Sequence, residues 1–260
     1  MNPDPVFSVH DLRFTYPDGQ QALEGVALEL LPRECAVIVG ANGCGKSTLL
    51  KILDGLYFPS AGTVRAFGEP LTQSALMDSK TNLAFRRRVG LVFQDPDVQL
   101  FLSSVTDELA FAPLQLGFDQ PEVRRRVDAA LVELRIEKIR ERAPHRLSGG
   151  EKRRVALASV LTLDPEVWLL DEPSAGLDPR SHSWLIEFIR DQHKLGKTII
   201  TATHDLSLAE EIATTIHVFS EDHRIVAAGP PDVILGDHDL LHRCNLYHYH
   251  SRASQHQPEK

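Results

Sequence analysis

The stretch GANGCGKST, Gly40 to Thr48, constrains this chain more than any other. Four residues separate Gly40 from Gly45, and Lys46, Ser47 and Thr48 follow at once, giving the G-x-x-x-x-G-K-[ST] pattern. The glycines let the backbone curl until successive N–H groups face inward around an anion. Asn42, Gly43 and Cys44 complete that loop. The apolar run Ala36 to Val39 before it reads as a buried strand, and Ser47 to Leu56 after it as a helix whose N-terminus points at phosphates. Strand, anion loop and helix in this order predict a nucleotide site. Lys46 would reach the β- and γ-phosphates, and the Ser47 hydroxyl would ligate Mg²⁺.

A second element completes the chemistry. VWLLDEP, from Val167, is a buried-strand pattern ending in Asp171 and Glu172. A carboxylate at the C-terminal end of a parallel strand is placed to hold Mg²⁺ through water, and its neighbour to activate water for attack on the γ-phosphate. Asp171 and Glu172 take these two parts in turn.

Three further segments fix the order of motifs. LSGGEKRRVALASVL begins at Leu147, SAGLD at Ser174, and His204 closes the apolar run Thr198 to Ala202. Ser148, Gly149 and Gly150 offer a hydroxyl and unhindered N–H groups at a helix start, and Ser148 also suits an N-cap. From roughly Phe7 to Gly229 this order resembles the ATP-binding-cassette ATPases. The resemblance implies an α/β phosphate-loop fold: a mostly parallel sheet with helices, an N-terminal antiparallel β portion and an inserted helical sub-domain. It implies residues 1–228 as the ATPase domain, the sub-domain at about 95–163, and 229–260 as a C-terminal appendage. It also implies that two chains meet head to tail and bury two ATP molecules. Glu172, His204 and Gln94 of one chain would then work with Ser148, Gly150 and Asp178 of the other, and Tyr16 would lie against adenine. Gln94 would sense Mg²⁺ and the attacking water beside Ser47 and Asp171. Glu151 stands where glutamine is commonest in the family.

FQDPDVQLF, Phe93 to Phe101, is half polar and half apolar. Asp95 and Pro96 also read as the cap and first residue of a helix. The residues after Gln94, with SVTDELAFAP from Ser104 to Pro113, resemble the energy-coupling-factor importers and their nickel/cobalt relatives, although Ala112 replaces the usual glycine. That likeness implies docking of an integral membrane subunit near Asp97, Gln99 and Phe101, on the cytoplasmic face of the cell membrane. Nickel or cobalt is the expected cargo, with a vitamin importer as the alternative. Homodimer and heterodimer both stay open.

Composition excludes other classes. With 42% hydrophobic and 25% charged residues the chain reads as soluble and globular, and no apolar stretch approaches the ~18–20 residues that span a bilayer. The formal net charge of -8 argues against nucleic acid as a partner. Only one phosphate loop occurs, unlike the paired cassettes of translation-type proteins. No sustained heptads lie between Lys46 and Ser148, unlike chromosome-type cassettes. Cys35, Cys44 and Cys244 form no CxxC pair and fit a reducing compartment. His238, His242, His248, His250 and His256 cluster near the C-terminus with Cys244, and the expectation is that they face water rather than form a metal sensor.

Overall fold

The computed structural model describes residues 4–247. The chain opens with β1 (Phe7–Thr15) and β2 (Gln21–Leu30), an antiparallel hairpin. Phe7, Val9, Leu12 and Phe14 of β1 are buried. Their alternation skips a residue at Asp11, whose φ of 44° marks a bulge that restores the apolar face. Next come β3 (Cys35–Val39), α1 (Lys46–Leu53), β4 (Ala61–Ala66) and β5 (Glu69–Pro70). The first sheet is four-stranded, in the order β2-β1-β4-β5. α1 is shorter than the sequence pattern suggests, because Gly55 takes φ 68° and turns the chain away after Asp54.

Two short helices, α2 (Gln73–Met77) and α3 (Ser79–Arg86), lead into β6 (Val89–Val92). A helical stretch follows: α4 (Pro96–Gln99), α5 (Val105–Gln115), α6 (Gln120–Glu133) and α7 (Gly149–Leu161). Each starts on a side chain that caps it, Asp95, Ser104, Asp119 and Ser148 in turn. The chain then alternates through β7 (Val167–Asp171), α8 (Pro179–Lys194), β8 (Thr198–Thr203), α9 (Leu206–Ile212) and β9 (Thr215–Phe219). It ends with β10 (Ile225–Gly229), α10 (Pro231–Gly236) and α11 (His238–Arg243).

The second sheet has the order β10-β9-β3-β8-β7-β6 and is parallel except for β10 on β9. The α/β architecture expected from the sequence is therefore present, antiparallel portion included. Both faces of the parallel sheet are covered. Val37, Val39, Trp168 and Leu170 belong to a core shared with α5 to α9, whereas Ala36, Ile38, Val167 and Leu169 belong to one shared with α1 and the antiparallel sheet. Double burial is why these strands read as continuous apolar runs rather than alternating ones. α10 and α11 join the first of these cores through Ile234, Leu240 and Cys244. No helix among the described residues is long and apolar enough to cross a membrane.

Candidate functional site

Loops leaving the C-terminal ends of β1, β3, β6, β7 and β8 surround a cleft of about 560 Å³. Its walls include Tyr16, Asn42, Gly43, Gly45, Lys46, Ser47, Thr48, Gln94, Glu172 and His204. Ligand sites at this edge of a parallel sheet are general, since every strand delivers its loop to the same side.

The phosphate loop is held by packing. A Cβ on Gly40 would sit 2.6 Å from the Cys44 sulphur and 2.8 Å from Phe219 Cβ, so only glycine fits against the end of β9. Gly45 adopts φ 114° and caps α1 with no side chain, leaving the first-turn N–H groups of the helix for a ligand. Gly40 and Cys44 do not line the cleft. The Cys44 side chain turns into the core, where burial pushes its thiol up. The phosphate contact expected of Cys44 from the motif would therefore fall to its backbone.

Lys46 is buried, and its Nζ donates to the carbonyls of Gly40 at 2.8 Å and Ala41 at 3.1 Å. The same nitrogen lies 3.4 Å from Glu172 Oε1. Glu172 is itself buried and holds φ 43°, a left-handed conformation that costs a non-glycine residue energy. Its Oε2 accepts from Thr203 Oγ1 at 3.0 Å and from His204 Nδ1 at 2.9 Å. His204 Nδ1 must therefore carry a proton, and the ring is otherwise half exposed. Lysine, carboxylate and imidazole thus form one connected set at the mouth of β7 and β8.

Ser47 Oγ donates to Asp171 Oδ1 at 2.7 Å, and burial pushes the Asp171 carboxyl up. Gln94 lies beside both, in a smaller depression that it shares with Ser47, Lys51 and Asp171. A hydroxyl, an amide and one carboxylate are hard oxygen donors of the kind that Mg²⁺ takes together with water and phosphate. Ser47, Gln94 and Asp171 therefore fit that ion, and no group of three His, Cys, Asp or Glu side chains able to hold a metal occurs among the described residues. Tyr16 donates or accepts at Thr48 Oγ1 over 2.7 Å, and its half-buried ring stands edge-on to Phe14 and Tyr57.

Ser148, Gly150 and Asp178 do not line this cleft. They form a separate neighbourhood. Asp178 caps α8 and accepts from Ser181 Oγ, which lowers its carboxyl, and Ser181 Oγ is 3.6 Å from where a Cβ on Gly150 would stand. Ser148 caps α7 in a reciprocal box with Glu151, and its hydroxyl and N–H both reach Glu151 Oε2 at 2.8 Å. The serine-glycine face thus sits at the exposed start of α7, available to a second molecule.

Around Gln94 the structure adds residues that the motifs do not name. Arg153, buried in α7, donates to the Phe93 carbonyl at 3.0 Å and the Gln94 carbonyl at 2.7 Å. Thr203 braces Glu172 and in turn accepts from the Asp205 N–H at 3.0 Å, while the Asp205 carboxylate accepts from Ser174 and is bonded to His182 Nε2 at 3.1 Å. Asp205 could have been suspected as the cap directly after His204. Nothing local marks Arg153, whose partners are about sixty residues away in sequence.

Beyond the Gln94 turn opens an apolar groove of about 410 Å³, with Leu56, Val98, Phe101, Phe111 and Leu116 among its walls. Phe101 is 64% exposed and meets Phe111 edge-on. Gln99 is half buried there, and its amide donates to Ala156 O at 2.8 Å and Ser159 Oγ at 2.9 Å while its oxygen accepts from Phe93 N. Its polar atoms tie α4 to α7. Asp97 is exposed and pairs with Lys152 at 2.5 Å. Of the three residues expected near a membrane subunit, Phe101 alone offers an uncommitted side chain. At the C-terminus His238 leans on Tyr247 and Cys244 is buried, while His248, His250 and His256 lie outside the described residues.

A phosphate loop between a parallel strand and a helix, facing an Asp-Glu pair on a second strand, defines a nucleoside triphosphate hydrolase of the phosphate-loop class. The family model described as ABC transporter matches residues 23–175, and the chain belongs to that family. It is 48% identical over 245 residues to the nickel import ATP-binding protein NikO of Rhodobacter capsulatus, an alignment covering 93% of this chain and 96% of that one. It is 43% identical to the energy-coupling factor transporter ATP-binding protein EcfA of Carboxydothermus hydrogenoformans, over 92% of this chain and 85% of that one. Among solved structures, cbiO1 from Clostridium perfringens, described as part of the ABC transporter complex cbiONQ, superposes with a TM-score of 0.77 at 36% identity, covering 94% and 95% of the two chains. A dimeric ATP-binding cassette in a post-hydrolysis state with ADP and phosphate superposes with a TM-score of 0.78 at 25% identity, covering 86% of this chain and 98% of that one. The chain is an ATPase coupled to transport, ATP and Mg²⁺ are its cofactors, and cassettes of this family form dimers and work with membrane subunits.

Proposed function

We propose that this chain powers a nickel or cobalt importer of the energy-coupling-factor type from the cytoplasmic face of the cell membrane. Residues 1–228 act as its ATPase domain, about 95–163 as the helical sub-domain, and 229–260 as an appendage. The observation that carries the docking side is the groove of Leu56, Val98, Phe101 and Phe111, open beside the same turn that carries Gln94. The cargo rests on the likeness to the nickel import protein, and a vitamin importer is the second reading because of the energy-coupling-factor relatives.

In this reading the γ-phosphate of ATP takes Lys46 from Glu172, with which it now shares a buried contact of 3.4 Å. Tyr16 lies against the adenine. The N-terminus of α1 and the N–H groups of Asn42, Gly43, Cys44 and Gly45 receive the phosphates, with Thr48 beside them. When bound, Mg²⁺ neutralises phosphate charge, and Ser47, Gln94 and Asp171 would hold it. A second chain, identical or related, brings Ser148, Gly150 and Asp178 to the far side of the γ-phosphate. Glu172 then takes a proton from water as its oxygen bonds to the γ-phosphorus, and the bond to the β–γ bridging oxygen breaks to release ADP and phosphate. His204 already spends its Nδ1 proton on Glu172, so it donates to phosphate at Nε2 only as the imidazolium. Loss of the γ-phosphate removes what holds the two chains together, and their reopening moves the docked membrane subunit.

The test is uptake of radiolabelled Ni²⁺ and Co²⁺ by cells co-expressing this chain with the membrane genes that accompany it. Uptake that requires the chain and is lost with Phe101→Asp supports both cargo and docking. Vitamin uptake without metal uptake turns the reading to its alternative, and retention of the membrane subunit by Phe101→Asp refutes the groove as the dock.

A further inference from the structure

His223 stands at the tip of the hairpin between β9 and β10, 179 residues from the phosphate loop, and touches it. Its ring Nδ1 lies 3.0 Å from the carbonyl oxygen of Cys44. A carbonyl only accepts, so Nδ1 carries the proton and donates it. The hairpin cannot easily move away. The His223 N–H donates to the Ser220 carbonyl at 3.2 Å, and the His223 carbonyl accepts from the N–H of Glu24, in β2, at 3.0 Å. The residue takes φ 61°, the left-handed region, where histidine is uncommon.

The bonded carbonyl belongs to the peptide that joins Cys44 to Gly45. No peptide among the described residues is cis, so the Gly45 N–H points opposite to the Cys44 C=O. Gly45 lines the nucleotide cleft, whereas His223 does not. We propose that His223 is a positioning residue for the nucleotide: by holding the Cys44 carbonyl outward it aims the Gly45 N–H at the phosphates. Three neighbours make this hold decisive. Cys44 is pinned by its side chain in the core. A Cβ on Gly45 would lie 2.3 Å from the Ala22 carbonyl, so β2 presses directly on the loop at this point. The Cys44 N–H makes only a long bond of 3.4 Å to Ala41 O, leaving His223 as the strong polar tether on this residue. A glycine-rich peptide plane without such a tether can flip, and a flipped plane would present its oxygen to the phosphates. The inference rests on the reading of Gly40 to Thr48 as the phosphate-binding loop.

Two variants separate positioning from folding. His223→Gly removes the ring but suits φ 61°, so the hairpin keeps its backbone. His223→Asn also tolerates that φ, and its amide nitrogen is bonded to Cγ as Nδ1 is, so it restores the donor in the same place. Nucleotide affinity is read by titration with fluorescent ADP, together with KM, kcat and melting temperature. The expected result is a His223→Gly protein with an unchanged melting temperature, ADP bound about tenfold more weakly, and a raised KM at nearly constant kcat. His223→Asn should return the affinity to within about twofold of the parent. Wild-type ADP affinity in His223→Gly overturns the inference, as does His223→Asn that is folded but binds as weakly as the glycine variant. Lys46→Ala is run beside them: if it binds ADP normally, the phosphate-loop reading itself falls, whereas a weak Lys46→Ala with a normal His223→Gly removes only the role of His223.

Discussion

Replacing Glu172 by glutamine tests the competition on which the proposed cycle depends. The carboxylate and Lys46 are both about 5% exposed and 3.4 Å apart. At an effective dielectric constant of about 20 their gross attraction is about 5 kcal/mol. Much of that is cancelled by the cost of taking both charges out of water, so about 2 kcal/mol is the net loss expected in the nucleotide-free protein. The glutamine carbonyl can keep the contacts of Thr203 and His204, since both donate to the same oxygen, Oε2. Its amide N–H groups would then face the Lys46 ammonium. The nucleotide-free variant should melt about 4–8 °C lower than the parent. The γ-phosphate would regain more in the variant than in the parent, because it no longer has to displace a carboxylate. ATP should therefore bind about tenfold more tightly and raise the melting temperature by a larger increment. Hydrolysis should fall by about 10²- to 10⁴-fold, since an amide cannot accept the proton of the attacking water. The assays are thermal melting with and without MgATP, titration with a fluorescent ATP analogue, and phosphate release. Turnover within about threefold of the parent refutes Glu172 as the base. Unchanged melting together with unchanged affinity refutes the competition for Lys46.

Burial pushes the Asp54 carboxyl up to about 6 from an ordinary 3.8, despite Arg86 at 2.8 Å. The native state therefore binds this proton more tightly than the unfolded chain, and the stability it supplies is fully present below about 3.8 and lost as pH rises through 6. Asp54→Asn lacks that decline, so its urea stability relative to the parent should improve by about 1 kcal/mol between pH 5 and 7.5; a constant difference would contradict the assignment. Gly45→Ala must place a methyl group 2.3 Å from the Ala22 carbonyl at φ 114°, and should lower both melting temperature and ATP affinity, the latter by at least about tenfold. Normal ATP binding by that variant would mean that the loop can shift away from β2. Asp97→Arg breaks an exposed pair with Lys152, so stability should change by no more than about 1 kcal/mol while capture of the membrane subunit weakens. Lys152→Ala serves as its control, because equal weakening there would locate the effect in the α4–α7 contact rather than at the dock.

The sequence exposes whatever depends on local pattern. The strand before Gly40, the strand ending at Asp171 and Glu172, and the caps Asp95 and Ser148 all follow from residue type and spacing, and the structure has each of them. The sequence also marks Gln94, His204 and Tyr16 as members of one set, because the order of motifs resembles a known family, and all three line the cleft with Lys46. The direction in which a side chain leaves the backbone is less legible. Cys44 sits inside the motif, yet its thiol enters the core, because α1 begins only two residues later and Phe219 at the end of β9 closes over Gly40. Gln99 looks like a polar surface residue, yet its amide is used up between Phe93, Ala156 and Ser159. Bonds such as Arg153 to Gln94 and His223 to Cys44 join segments 59 and 179 residues apart, and no pattern within either segment encodes them.

These long-range bonds also show how the nucleotide and the groove are connected. The Gln94 backbone is gripped by Arg153 of α7, the helix whose first turn carries Ser148 and Gly150. Gln99, five residues beyond Gln94, is tied to the same helix at Ala156 and Ser159, and it helps to line the apolar groove. Asp54, which caps the C-terminus of α1, the helix that begins at the phosphate loop, also lines the groove. The groove is therefore bounded by the far ends of two elements whose near ends take part in the proposed nucleotide chemistry, α1 through Lys46 and α7 through the serine-glycine face. A rotation of α7 relative to α1 would change the shape of the groove without any bond inside either helix breaking. Such a rigid-body movement is what two chains closing on ATP would impose, since each chain's α7 is then pulled toward the phosphate held by its neighbour's α1.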